Sequence, residues 1–361
     1  MSLTAWETAM REGFMVYGAT GYTGRLIARA AKAAGMAPLL AGRDADRLGR
    51  VARELGLKSR AISLSDTSAL RQALSEVTVV LHAAGPFSRT SAPMLDACLA
   101  SGTHYLDITG EIPVFEAAAA RDAAAKRAGV MVLPGVGFDV VPSDCLAAHL
   151  HERLPDATEL SLAIAALSTM SRGTQKTALE GVAGGMQQVR RGGRITTLAA
   201  PLARDFDFGD GPRRCLSVGW GDVATAFHST GIPDITVYIR ASRQIEQMVR
   251  VGAPALWLIG LAPVQALLRG LIDWLPAGPS EAQRATGRAV LVGEARNAAG
   301  ERVTARVVTP ETYELTIRSA VEIVRRVLDG GAKPGFQTPS LAFGSGLIAA
   351  IPGCTLTDLP S

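Results

Sequence analysis

The stretch that decides the fold is Phe14-Met-Val-Tyr-Gly18-Ala-Thr-Gly21-Tyr-Thr-Gly24. A short apolar run leads straight into glycines spaced GxxGxxG, and a segment with apolar residues at helical spacing, Gly24–Ala34, follows. This is a variant of the dinucleotide-binding fingerprint. Gly18 permits the tight turn, Gly21 lets the backbone approach a diphosphate, and Gly24 lets the helix pack close to the sheet. The diphosphate is then expected on the helix N-terminus, where N–H groups and the helix dipole favour an anion. A glycine-rich turn without a ligand is the plainer alternative.

Outward from this stretch the pattern repeats. Apolar runs at Phe14–Tyr17, Pro38–Ala41, Ser59–Ile62, Thr78–His82, His104–Ile108 and Val130–Leu133 alternate with helical segments. The helical segments are Gly24–Ala34, Arg47–Leu55, Ser68–Leu74, Ala92–Ala100 and Val114–Arg127. Parallel neighbours are reached only through a long connection, so strands separated by helices predict an α/β doubly wound sheet, a Rossmann domain.

The end of the second strand, Leu39-Leu-Ala-Gly-Arg43-Asp44, selects the cofactor. An acid there would bind the ribose 2′-hydroxyl of NAD, whereas an arginine accommodates the 2′-phosphate of NADP. Arg43 comes first, with Arg47 one turn on, and planar guanidiniums suit phosphate oxygens, so NADP is expected. Asp44 is better placed as a helix N-cap. Asp66 either lies near the adenine or caps the helix that begins at Thr67. The fourth strand runs out through His82-Ala-Ala84-Gly85-Pro-Phe87, whose small residues suit a nicotinamide ribose passing against the backbone. The expected cofactor-binding residues are therefore Gly18, Thr20, Gly21, Tyr22, Thr23, Gly24, Arg43, Asp66, Ala84 and Gly85.

Ligands of open α/β sheets bind outside the carboxyl ends of the strands. The segments after strands four, five and six are thus expected to face one crevice, with Asp107, Glu111 and Asp139 placed there for polar work or as helix caps. Asp139 is the catalytic candidate of the three. Lys176, near the start of a helix expected over Gly173–Arg191, could orient an anionic or carbonyl group. His228 is a candidate proton donor for its titration range. A capped surface helix and a structural histidine are the bland alternatives for these two. No tyrosine is followed four residues later by lysine, and GxSxG and HExxH are absent, which counts against serine hydrolase and zinc protease chemistry.

Gly18–Gly24, Ala41-Gly-Arg43, Ala83-Ala-Gly-Pro-Phe87, Tyr105-Leu-Asp-Ile-Thr-Gly-Glu111 and Gly137-Phe-Asp-Val-Val-Pro142 together resemble the saccharopine dehydrogenase-like family. The nearest branch includes the trans-acting enoyl reductases of bacterial lipid biosynthesis. The resemblance is specific over residues 14–145 and looser through Ser171-Arg-Gly-Thr174, Glu180, Trp220-Gly-Asp222 and Ser229-Thr-Gly-Ile-Pro233. It implies an NADP-binding Rossmann domain with an inserted second domain that covers the nicotinamide and holds the substrate. It does not imply saccharopine as that substrate. His82 departs from the pattern, since relatives often carry Asn or Cys there. The implied activity is NADP-dependent reduction of an enoyl C=C bond, or of an imine, in a largely apolar, lipid-like substrate. A non-catalytic NADP-binding redox sensor or scaffold is the alternative, and an accessory reductase acting only on synthase-delivered chains is a third.

Beyond about Asp144 the rhythm changes. Helices are expected at Ser143–Arg153 and Thr312–Leu328, and strands at Glu159–Ala166, Arg194–Thr197, Cys215–Val218, Ile235–Arg240, Ala289–Asn297 and Arg302–Val308. Asn297–Gly300 reads as a hairpin loop. These predict an inserted α+β domain on a mostly antiparallel sheet, with domains at 1–145 and 146–330 and a segment 331–361 returning to the domain junction. Val251–Leu268, bounded by Arg250 and Arg269, contains no charged residue. It reads as a buried or dimer-interface helix, a wall for an acyl substrate, or a membrane-surface contact.

Composition bounds the remainder. With 361 residues, 48% apolar, 19% charged and net charge +4, the chain can bury a sizeable core and is not a disordered or disulfide-scaffold protein. The basic residues are spread rather than clustered with aromatics, so a nucleic-acid partner is not expected. Cys98, Cys145, Cys215 and Cys354 lie far apart without CxxC spacing, which gives no metal signature and suits a reducing compartment. The opening MSLTAWETAMREG has no apolar run, so a secretory signal is not expected and the cytoplasm is the expected setting. A homodimer is a further expectation.

Overall fold

The structure is a computed structural model that describes residues 13–166, 171–172, 175, 187–241, 262–272, 274 and 277–360. The chain divides into two units, Met1–Asp139 with Leu315–Phe343, and Val140–Glu314 with Gly344–Ser361.

The first unit alternates β1 (Phe14–Tyr17), α1 (Tyr22–Ala33), β2 (Leu39–Gly42), α2 (Ala45–Leu55), β3 (Ser59–Ala61), α3 (Thr67–Ser75) and β4 (Val79–His82). It continues through α4 (Phe87–Ser101), β5 (His104–Asp107), α5 (Ile112–Ala119), α6 (Asp122–Ala128) and β6 (Met131–Leu133). All six strands fall on the expected apolar runs. β1, β4 and β6 are buried along their whole length, as parallel strands covered by helices on both faces must be. Met15, Leu70, Leu74, Val80, Met94, Tyr105 and Val132 belong to one core cluster. The segment expected as a single helix over Val114–Arg127 is two, α5 and α6, because the backbone leaves helical geometry at Arg121 (φ −92°, ψ 3°).

The second unit opens with α7 (Val141–Arg153) and β7 (Ala157–Ala166), then β8 (Gln188–Arg191), β9 (Arg194–Thr197), β10 (Ala203–Asp207) and β11 (Pro212–Ser217). α8 (Asp222–Thr230), β12 (Asp234–Arg240), α9 (Ala262–Ile272), α10 (Glu281–Thr286), β13 (Arg288–Asn297) and β14 (Arg302–Pro310) follow. α11 (Thr312–Arg326) leads back to the first unit, where β15 (Gly335–Phe336) and α12 (Pro339–Phe343) lie. α13 (Leu347–Ala350) and β16 (Thr355–Leu359) complete the second unit.

The first sheet has the order β15-β6-β5-β4-β1-β2-β3, with every pair parallel. β2 and β3 lie to one side of β1 and β4 to β6 to the other, so the strand order reverses between β1 and β4, where a crevice opens at the carboxyl ends. The second sheet runs β10-β11-β12-β7-β13-β14-β16 and is antiparallel except for the β12–β7 pair. α7 lies on it so closely that a Cβ at Gly293 would stand 2.6 Å from Leu150 Cδ1.

Three further sequence expectations differ from this structure. The division falls after Asp139 rather than at 145, because α7 packs through Leu146 and Leu150 on the second sheet. Residues 315–343 rejoin the first unit, held there by Phe138 N donating to Thr316 Oγ1 (3.0 Å), Ser319 Oγ donating to the Val136 carbonyl (2.7 Å), and β15 pairing with β6. Of the helix expected over Gly173–Arg191, residues 173–174 and 176–186 lie outside the described residues, and Gln188–Arg191 is strand rather than helix. It pairs antiparallel with β9 around Gly192-Gly193, both at positive φ (53° and 76°), as a tight hairpin turn requires.

Candidate functional site

The crevice between β1 and β4 is built on close backbone approach. Gly18 has φ +91°, and a Cβ there would stand 2.8 Å from Ala83 C and Ala84 N. A Cβ on Gly24 would collide with the Gly18 carbonyl and lie 2.9 Å from Gly18 C and 3.2 Å from Ala19 Cα. The three strands of chain (the glycine turn, the start of α1 and the exit of β4) therefore touch through positions that admit no side chain. Gly21, exposed, is the N-cap of α1, flanked by half-buried Thr20, Tyr22 and Thr23.

No side chain caps α1, and its first turn carries no acid. The neighbouring helices differ. Asp44 Oδ1 accepts from Arg47 N (2.9 Å) to cap α2, and Asp66 Oδ1 accepts from Ala69 N (3.0 Å) to cap α3. Glu111 accepts from Phe87 N and Ser88 N (both 2.8 Å) at the start of α4. Among the described residues, α1 is the one of these four whose N-terminus and positive dipole end has neither a capping carboxylate nor an acid in its first turn. This is a cradle for an anion, and a diphosphate fits it. For Asp66, the structure gives the capping role that the sequence left open.

Beside this N-terminus lies a cleft of about 260 Å³ lined by Thr20, Arg25, Arg47, Arg50, Val51 and Glu54. Glu54 pairs with Arg25 and with Arg29 (2.7 Å), leaving Arg47 and Arg50 as the cations that a bound phosphate would meet. Arg43 is exposed and stands near the Tyr17 phenol, whose own hydroxyl donates to the Ile62 carbonyl (3.0 Å). Arg50 was missed in the sequence. Its signal is spacing, one turn beyond Arg47 on the same face of α2.

The ends of β4, β5 and β6 come together as expected. Asp107 is fully buried: Oδ1 accepts from Thr109 N and Gly135 N (both 2.9 Å), and Oδ2 accepts from the Tyr105 hydroxyl. Burial pushes its carboxyl up to about 6 in spite of these donors. Its work is to tie the loop after β5 to the loop after β6. Asp139 is half-buried, and its Oδ2 lies 2.8 Å from where a Cβ on Gly110 would be, so the carboxyl rests on the backbone of the β5 exit loop. Loss of hydration raises its pKa to about 6. Ala84 and Gly85 form the β4 exit, half-buried and exposed respectively, followed by a cis Gly85–Pro86 peptide.

The other two catalytic candidates belong to the second unit. Lys176 lies outside the described residues. His228 sits in the last turn of α8, half-buried, with its ring 6.0 Å from that of Phe227. The second unit also holds a cleft of about 430 Å³ between β10, β13 and β14, lined by Arg204, Phe206, Glu294, Arg302 and Arg306 among others. Among the described residues no cluster of three or more His, Cys, Asp or Glu could hold a metal ion.

A bare helix N-terminus, a glycine cradle at the switch point and an arginine-lined cleft define the first unit as a Rossmann-type dinucleotide-binding unit. More particularly, residues 14–133 match the family model described as "Saccharopine dehydrogenase NADP binding domain". NADP is the cofactor of that domain family, in agreement with the arginines after β2. A "Trans-acting enoyl reductase" of Mycobacterium leprae (strain TN) is 33% identical over 148 residues, covering 39% of this chain and 35% of that protein. A protein of the same name from Mycobacterium tuberculosis (strain ATCC 25618 / H37Rv) is 34% identical over 149 residues, covering 38% and 35%. The matches to these curated relatives thus span about a third of their length. The apo saccharopine dehydrogenase (L-Glu forming) of Saccharomyces cerevisiae has a TM-score of 0.64 at 12% identity, over 97% of this chain and 100% of that one, a likeness of fold.

Proposed function

We propose that this chain is an NADP(H)-dependent oxidoreductase that reduces a C=C bond conjugated to a carbonyl, or a C=N bond, in a largely apolar substrate. The observation that carries the reading is the start of α1, with no side-chain cap and no acid in its first turn, above a glycine cradle, in a segment that matches an NADP-binding domain model. Gly18, Gly21 and Gly24 would hold the diphosphate against the first N–H groups of α1, with Thr20, Tyr22 and Thr23 around it. Arg43, Arg47 and Arg50 would meet the 2′-phosphate, and Ala84 and Gly85 would lie along the nicotinamide ribose. When bound, NADPH supplies a hydride to an electrophilic carbon.

The protein's own part is then to orient the acceptor and manage one proton. A carboxyl near pKa 6 is poised to give a proton close to neutral pH, and Asp139 is such a group at the β6 exit. The names of the mycobacterial relatives support an enoyl acceptor. Leu267, Leu271 and Trp274 are exposed (65%, 56% and 90%) at and beyond α9, which supports contact with an apolar partner, whether a second copy or a membrane surface. No helix among the described residues is long and apolar enough to cross a membrane. The four cysteines are buried and outside any disulfide, in keeping with a reducing, cytoplasmic setting.

The test is loss of NADPH absorbance over a panel of enoyl, imine and ketone substrates, offered free and tethered to an acyl carrier. Turnover of an enoyl or imine member supports the reading. Tight NADPH binding with no turnover on any member would overturn it in favour of a redox sensor.

A further inference from the structure

His82 ends β4 beneath the segment Ala83–Pro86, and it is fully buried. Its ring is wedged among Tyr17 (5.5 Å between centroids), Phe87 (5.4 Å, edge-on) and Tyr105 (6.5 Å). Nε2 lies 3.0 Å from Thr90 Oγ1, while Nδ1 has no hydrogen-bond partner among the described residues. Thr90, in the first turn of α4, also lies 2.7 Å from the Ala84 carbonyl oxygen and 3.1 Å from that of Pro86.

The single hydroxyl proton settles the direction of this chain. Thr90 spends it on a carbonyl, the nearer being that of Ala84, so its oxygen must accept from Nε2–H. His82 is then the neutral Nε2–H tautomer with a bare Nδ1. The opposite tautomer would bury an unpaired Nδ1–H and take the threonine proton away from the carbonyl, a loss on both counts. Burial holds the imidazole pKa down at about 3, so the ring stays neutral at every working pH.

The Ala84–Gly85 peptide fixed in this way follows directly on the Ala83–Ala84 peptide, which abuts Gly18, where a Cβ would stand 2.8 Å from Ala83 C and Ala84 N. Ala83 N in turn donates to the Tyr17 carbonyl (2.8 Å). The segment expected along the nicotinamide ribose and the turn expected under the diphosphate are therefore braced against each other. We propose that His82 and Thr90 are positioning residues: the relay from His82 Nε2–H through the Thr90 hydroxyl to the Ala84 carbonyl sets the orientation of Ala83–Pro86 that cofactor binding requires. The proposal rests on the reading of this crevice as an NADP(H) site.

The experiment titrates NADPH into the full chain by calorimetry, alongside the thermal melt of each apo protein. Thr90→Val keeps the shape and removes the hydroxyl. It weakens NADPH binding about tenfold, the loss expected for one hydrogen bond, and lowers the apo melt by a few degrees because His82 Nε2–H and the Ala84 carbonyl lose their shared partner, so binding is titrated well below the melt. Thr90→Ser restores the hydroxyl and returns affinity to near wild type. His82→Gln, which carries an amide N–H about where Nε2 lies, binds NADPH better than His82→Asn, which is too short to reach Thr90. Nitrogen NMR shifts of His82 show an Nε2–H tautomer that does not titrate at neutral pH. Thr90→Val binding as tightly as wild type, or Thr90→Ser as weak as Thr90→Val, overturns the proposal alone. Absence of NADPH binding by the wild type overturns the cofactor reading as well.

Discussion

Replacing Gly24 with alanine probes the cradle directly. The added methyl meets backbone on every near side, at 2.9 Å from Gly18 C and 3.2 Å from Ala19 Cα, in addition to the Gly18 carbonyl oxygen. Ordinary carbon contacts lie at about 3.5–4.0 Å, so the start of α1 must retreat by roughly 0.5–1 Å from the glycine turn. Overpacking of this kind costs about 1–3 kcal/mol. The better helix propensity of alanine returns about 0.5–1 kcal/mol. A net loss of about 1–2 kcal/mol is left, a fall of a few degrees in the melt. The effect on binding is larger, because the helix carries the phosphate donors with it. Losing one charge-assisted hydrogen bond, worth about 1.5–3 kcal/mol, raises the Kd for NADPH about 10- to 100-fold. Calorimetric titration and a thermal melt read the two effects separately. Gly49→Ala is the control: its Cβ would meet only the flexible Arg53 Nη1 at 3.5 Å, so it should stabilise α2 by about 0.5–1 kcal/mol. If Gly24→Ala bound NADPH like the wild type with an unchanged melt, the close approach of α1 to its turn would not be what forms the site.

Arg47→Ala weakens NADPH about tenfold or more and leaves NADH nearly unchanged, because the guanidinium serves only the 2′-phosphate; equal losses for both coenzymes in parallel titrations would refute that role. Asp107 has a folded pKa of about 6 against 3.8 for the free side chain. The unfolded state gives up this proton first, so stability falls as pH rises from about 4 to 6, by up to about 3 kcal/mol at this one group. Asp107→Asn keeps an oxygen for Thr109 N and Gly135 N and flattens that part of the pH–stability curve, which urea melts across the range would record. Asp139→Asn leaves NADPH affinity intact and lowers turnover of an accepted substrate. In the wild type turnover declines as pH rises through about 6, where the acid form of Asp139 is lost; persistence of that limb in Asp139→Asn would assign the proton to another group.

The first unit was legible because each of its strands is a short apolar run and each connection a helix, a pattern that fixes the parallel order without long-range information. β15 escaped, since a two-residue strand carries no period and is recruited only by its β6 neighbour. The second unit yielded β7, β9, β11, β12, β13 and β14 and hid β8, β10 and β16. Gln188-Val-Arg-Arg191 reads as amphipathic in isolation, and only the following Gly192-Gly193, both at positive φ, marks it as a hairpin. The boundary at Asp139 was displaced for a similar reason. Nothing in Val141–Arg153 announces which sheet it covers, and Gly293, distant in sequence, is the residue that leaves room for it.

The acids of the crevice were the least legible part, and their arrangement carries the strongest argument for the site. The sequence marks Asp44 as a helix cap and leaves Asp66, Asp107 and Glu111 open between polar work and capping. The structure uses each to hold backbone N–H groups: at the starts of α2, α3 and α4, and in the loop after β5 together with that after β6. A chain that caps three successive helices with carboxylates and leaves α1 without one is not short of acids. An acid at the start of α1 would repel a diphosphate, and a side chain at Gly18 or Gly24 would close the space for it. What this corner lacks, charge of one sign and bulk of any kind, is what a phosphate-bearing ligand needs it to lack. The arginines of α2 supply charge of the other sign immediately beside it.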